Sequence, residues 1–186
     1  MTLLILGVLL FAGVHFIPSL APGVRARWYS SLGEGGYKGS FSLLLLAAFA
    51  LMIAGWRSAQ ATFVYLPAPA LHDLALGLLA LAFLLMVVSS RYSRLCLLVR
   101  HPQLTGVTLW GIAHLLLNGD SRSLVLFGGL AIWAIVEMIA INRREGVWVK
   151  SKAPSWGTEL LTLVITAVVL AGVVYIHPWL AGMPVW

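Results

Sequence analysis

The sequence predicts an all-α protein, a polytopic membrane bundle of six transmembrane helices. Three observations predict it. Hydrophobic residues fill 61% of the 186 positions and charged residues 10%, against roughly a quarter charged in ordinary soluble domains. The apolar residues fall in six runs, each near the length of about 20 residues that a spanning helix needs. The basic residues fall between those runs, and mostly in alternate gaps.

The first run covers residues 2–21. It is apolar from Leu3, with no basic segment ahead of it and no small-x-small cleavage pattern before Pro18, so it reads as a span and not a removed signal. Pro18 and Pro22 close it. A loop with Arg25, Arg27 and Lys38 leads to the second run, 39–57. Pro67 and Pro69 punctuate the next loop, before the third run at 70–90. The fourth, 102–118, opens on Pro102, a residue suited to a helix's first position. It is the shortest run and carries Thr105, Thr108 and His114, which places it inside the bundle. Asn118-Gly119-Asp120 is a tight turn, so the fifth run, 121–141, returns antiparallel beside the fourth. The sixth is 158–177.

Loop charge sets an orientation. Arg25, Arg27, Lys38, Arg91, Arg94, Arg100, Arg143, Arg144, Lys150 and Lys152 occupy the odd loops, and only Arg57 and Arg122 the even ones. By the positive-inside rule the odd loops face the cytoplasm, and both termini face the other side of a cell inner membrane. Residues 1–186 form one integral membrane domain, with no soluble domain expected. The net charge of +6 is dispersed over short loops and makes no stripe for nucleic acid. Cys96 is the single cysteine, which excludes an internal disulfide, a thiolate zinc site and covalent haem attachment. HExxH, GxSxG and phosphate-binding glycine loops are absent.

The chemistry-bearing residues are histidines within apolar runs. His15 sits in LLFAGVHFIPSL and His114 in TLWGIAHLLLN. An ionisable ring in hydrocarbon needs a buried partner, a proton or a metal. Each could hydrogen-bond a neighbouring helix, or the two could ligate one b-type haem from different helices. At about 1.5 Å per residue, His15 lies about 10 Å from the cytoplasmic boundary and His114 about 18 Å, a difference that a tilted macrocycle could bridge. Glu137 comes out near the level of His15. It either orients a liganding imidazole or pairs with a cytoplasmic arginine. His101 is placed at the cytoplasmic boundary, His72 at the opposite one, and His177 at the end of the last span. Cys96 reads as a packed small residue. Trp28, Trp56, Trp148, Trp156, Trp179 and Trp186 form an aromatic belt. Gly7, Gly13, Gly77, Gly106, Gly111 and Gly128 permit close helix approach.

Four strings occur in order: GVHFIPSL, LGEGGYKGSFSL, LLVRHPQLTGVTLWGIAHLLLNGD and SLVLFGGLAIWAIVEMIAINRREG. Together they resemble the NnrU family of membrane proteins over residues 1–146, with the tail of 147–186 less distinctive. The resemblance implies an association with bacterial denitrification, in nitrite and nitric oxide reduction. It also implies kinship with the plastid zeta-carotene isomerase, whose b-type haem is held by histidines. Carried over by motif, His15 and His114 become the axial ligands, and His101 of RHPQ the alternative. RHPQLTG is also similar to the RHPxYxG motif of membrane methyltransferases that use S-adenosylmethionine. Leu104 stands where that motif has an aromatic residue, and NRREG lacks the paired glutamates expected after the following span.

The leading expectation is thus a haem b protein in the bilayer acting on a nitrogen oxide or a small hydrophobic substrate. A methyltransferase, or a non-enzymatic assembly factor for respiratory enzymes, are the alternatives. Whether the chain is an enzyme is left open by the residues.

Overall fold

A computed structural model describes residues 1–91, 93–150 and 152–182. The chain is 82% helical, with no strand among the described residues. The helices are α1 (Thr2–Leu20), α2 (Pro22–Ser58), α3 (His72–Ser89), α4 (Pro102–Leu117), α5 (Ser121–Glu145) and α6 (Trp156–Ala181). All but α4 are long and apolar enough to cross a membrane. Leucines and isoleucines such as Leu43, Leu46, Ile132 and Leu160 are well exposed. On a helix bundle of this composition, such side chains face lipid.

α4 differs from the expected full span. Its 16 residues make a rod of about 24 Å, short of a hydrocarbon core of about 30 Å. It is held between α3 and α5, with Gly106, Gly111 and Ala113 buried. At Gly111 a Cβ would lie 2.6 Å from Phe127 O and 2.9 Å from the Ala131 Cβ, so α4 and α5 touch backbone to backbone there. Gly7 and Gly106 serve similar close approaches, but no atom comes within 4 Å of a Cβ built at Gly13 or Gly77. Those two expected contact glycines do not mediate packing.

The first loop is the larger surprise. Residues 22–38 are not a loop. Helix continues from Pro22 to Gly33, whose φ of 68° breaks it, and resumes into the span. A positive φ is open to glycine at no steric cost, so Gly33 is where the chain can turn back on itself. Trp28 then packs edge-on against Tyr37, centroids 5.0 Å apart, and the Arg25 guanidinium lies 5.9 Å over the Tyr37 ring. Basic and aromatic residues on one short helix suit the headgroup layer.

The remaining helices alternate in direction. Leu4 packs beside Gly55 and His15 beside Phe41, so α1 runs antiparallel to the span of α2. The central core joins these to α5 through Leu4, Val8, Met52, Leu130, Trp133 and Ala134. α6 docks on α3. At the basic end it is fastened by Glu159, which accepts from Ser93 Oγ at 2.9 Å and Arg94 N at 2.8 Å. The Arg94 guanidinium lies 4.2 Å over the Trp156 ring. Cys96 is half-buried, its thiol near the Val88 and Arg91 carbonyls at 3.7 and 3.8 Å. Of the tryptophans expected in the belt, Trp186 lies outside the described residues.

At the opposite end two connections clip together. Val64 N and Tyr65 N donate to Gly119 O at 2.9 and 3.1 Å, and Ser121 N donates to Thr62 O at 2.9 Å. Tyr65 OH donates to Leu115 O and to Asn118 O, carbonyls that the end of α4 leaves without helical partners. A Cβ at Gly119 would collide with the Tyr65 carbonyl. The clip fixes the last turn of α4, where His114 sits.

Candidate functional site

His114 projects from α4 into the interior half of the bundle. Its Nδ1 lies 2.8 Å from Trp110 O, one turn back. A carbonyl only accepts, so Nδ1 carries the proton and Nε2 is left with the lone pair. Phe127 stacks on the ring at 4.2 Å and 21°, and Trp110 packs at 4.7 Å. Phe127 reaches this position from a stretch of π-helix, Leu124–Gly128, inserted in α5. Such inserts rotate the side chains that follow them, and they recur at functional positions.

Two cavities meet at this imidazole. The first, about 350 Å³, lies between α2, α4, α5 and α6, with Phe49, Met52, Trp56, Phe127 and Leu130 among its walls. The second, about 290 Å³, lies between α3, α4 and α6 and reaches His72. His114 and His177 line both. His177 is thus the imidazole that α6 brings into the space beside His114. Its position in sequence suggested only a helix end. The missed signal is a register: His177 falls four residues after Val173, which lines the same two cavities, and residues four apart share a helix face.

His15 sits in a different nest. Its Nδ1 lies 2.9 Å from Phe11 O, which leaves the lone pair on Nε2 here too. Phe11, Trp133 and Phe41 surround it at 4.3, 4.9 and 5.7 Å. Among the described cavities none is lined by both His15 and His114. Their α5 neighbours, Trp133 and Phe127, are six residues apart, about 9 Å along the helix. Phe11 joins the two nests, since it touches both His15 and the cavity wall at Phe49, 5.5 Å away.

The other expected residues lie apart. His101 is half-buried at the basic end, with Nε2 2.9 Å from Asn142 Oδ1. Its neighbour Arg100 donates to Gly146 O at 2.7 Å and lies 3.6 Å from Glu145. Both motif residues therefore tie the start of α4 to the end of α5, around a cavity of about 370 Å³ that includes Trp148. Glu137 is buried, and its hydrogen-bond partner is Ser19 Oγ at 2.9 Å, not an imidazole or a guanidinium. Arg144 nearby donates to Pro18 O at 2.8 Å.

The donor chemistry fits a b-type haem at His114. The cavity offers a neutral imidazole with a fixed tautomer, aromatic walls and, among the described residues, no carboxylate or thiolate. No cluster of three or more His, Cys, Asp or Glu side chains occurs among the described residues, so a zinc-type cage does not fit.

No curated protein and no solved structure matches the chain. A family model described as NnrU protein matches residues 3–185, which carries the likeness beyond residue 146 and through α6. With nearly its whole length covered, this membrane-helix protein belongs to the NnrU family.

Proposed function

We propose that the chain is a haem b protein of the inner membrane, with both termini on the non-cytoplasmic side. We propose that it serves denitrification, in nitrite or nitric oxide reduction, or a related redox or isomerase step. The observation that carries the reading is His114, a tautomer-fixed imidazole on the wall of an apolar, aromatic-lined cavity within the bundle. A haem bound there would supply an iron able to take a diatomic gas or pass one electron. The chain's own part is to present Nε2 of His114, to hold the ring flat against Phe127, and to keep water out with Trp110, Met52 and Leu130. Nitric oxide or a small hydrophobic substrate, each uncharged, would enter such a cavity from the bilayer without desolvating a charge.

A haem held by His114 would take a second imidazole, and this reading has two forms. The shared cavity favours His177, and the family resemblance favours His15. Purified His15→Ala, His177→Ala and His114→Ala proteins separate them by absorption and EPR spectra. His114→Ala loses the haem in either form. The form that holds is the one whose alanine variant turns six-coordinate haem five-coordinate. A low-spin spectrum unchanged in His114→Ala overturns the assignment. The S-adenosylmethionine reading would place its cofactor at the Arg100–His101 cavity. Tight binding of that cofactor by colourless protein would establish it instead, and neither signal would leave an assembly factor.

A further inference from the structure

Beyond the imidazoles, the His114 cavity has a charged mouth. At the end opposite the basic loops, α2 closes with Trp56-Arg57 and α5 opens with Asp120-Ser121-Arg122. A polar chamber of about 520 Å³ lies between them and the end of α6, and both arginines line it. It shares Trp56, Leu180 and Ala181 with the apolar cavity. The two therefore adjoin, one hydrocarbon-like and the other cationic at its edge.

Arg122 is held in place for this role. Its guanidinium lies 4.7 Å over the Trp56 ring, and Nη1 donates to Trp56 O at 3.2 Å. Nε is enclosed without a hydrogen-bond partner. The nearest carboxylate, Asp120, approaches Nε only to 3.6 Å. Its oxygens are engaged by the Arg122 and Ser123 amides and by Ser123 Oγ. Among the described residues no acidic side chain lines the chamber itself. Arg57 and Arg122 thus line the chamber together, and the carboxylate beside Arg122 is already committed to capping α5. Arginine's planar fork matches a carboxylate.

We propose that Arg57 and Arg122 receive the carboxylates of a ligand whose apolar body fills the His114 cavity. Under the haem reading above, on which the identity of that ligand rests, these are the propionates. The anionic edge of the ligand then points away from the basic loops, and not toward Arg100 and His101.

The test is a Soret titration of detergent-purified protein with haemin and with haemin dimethyl ester, which lacks the charged carboxylates. Wild type, Arg57→Gln, Arg122→Gln and Arg122→Lys are compared. The glutamine variants should weaken haemin binding roughly tenfold or more, the size of a lost charge-assisted bond. Arg122→Lys should recover part of the loss. Ester binding should be the same in all four proteins, which also shows that the variants are folded. Equal haemin affinity in wild type and variants, or equal losses for haemin and ester, overturns the proposal. Should wild type take up neither, the haem reading fails by itself. The mouth is then tested with cis-parinaric acid and its methyl ester, read by fluorescence. A preference for the free acid that the glutamine variants abolish supports the arginine site, and no preference overturns it.

Discussion

Gly111→Ala tests whether the α4–α5 contact positions His114. The new Cβ would stand 2.6 Å from Phe127 O and 2.9 Å from the Ala131 Cβ. Comfortable carbon contacts begin near 3.5 Å, so α4 and α5 must part by about 0.6–0.9 Å. Neither neighbour is a flexible side-chain end; one is backbone and the other a Cβ. Overpacking of this kind costs about 1–3 kcal/mol. Alanine's helix preference over glycine returns about 1 kcal/mol at most. The expected net is a loss of about 0.5–2 kcal/mol. Gly13→Ala is the internal control, since nothing lies within 4 Å of its Cβ, and it should be neutral or slightly stabilising. Unfolding of both variants in mixed micelles, followed by tryptophan fluorescence, gives the comparison. Trp110 and Phe127 lie 4.8 Å apart at the contact, so the native emission of Gly111→Ala should shift as well. Equal stability of the two variants, with an unchanged native spectrum, would refute the close-approach argument.

Other outcomes follow from the same geometry. Tyr65→Phe removes the hydroxyl that serves the last carbonyls of α4, and it should cost about 1 kcal/mol in the same unfolding assay. Gly119→Ala should cost more, because its side chain meets the Tyr65 carbonyl. Glu159→Gln weakens the Ser93 and Arg94 bonds that fasten α6, so limited proteolysis between α5 and α6 should speed up severalfold. Asp120 gives a pH signature. Burial pushes its carboxyl up, but the Ser123 hydroxyl, the Ser123 and Arg122 amides and the Arg122 charge outweigh burial and hold it below the ordinary range. A depressed folded value means the stabilisation is complete above the unfolded pKa of about 3.9 and is lost as pH falls through the lower folded value. Asp120→Asn should flatten that acid limb of the stability profile, and an unchanged limb would remove Asp120 as its source.

The sequence made the architecture readable wherever one physical demand dominated. Backbone groups in hydrocarbon must pair within their own helix, so uninterrupted apolar runs marked α1, α3, α5 and α6 to within a few residues. The Asn118-Gly119-Asp120 turn was equally plain, since it leaves α5 no path but back along α4. The charges of residues 22–32 have the look of a loop, where the structure has helix. The same charges suit a helix in the headgroup layer, where hydropathy gives no signal and only the Gly33 break marks the turn. At the site, an imidazole in hydrocarbon drew attention to His114 and His15 alike, but residue type carries no information on which cavity a ring lines. That depends on helix rotation, on the π-helical insert that brings Phe127 to His114, and on α6 presenting His177. The clip of Tyr65 to Gly119 joins segments about 50 residues apart and leaves no local pattern. In sequence Arg57 and Arg122 are only two basic residues of the even loops, and their place on one chamber wall is a tertiary fact.

The central claim is that this NnrU-family bundle holds a haem at His114. The direct measurement is the pyridine haemochrome of full-length protein purified from a haem-sufficient host, with absorption spectra before and after added haemin. The account predicts a b-type spectrum at about one haem per chain, lost in His114→Ala protein that still folds. Colourless, folded wild-type protein that takes up no added haemin would contradict it.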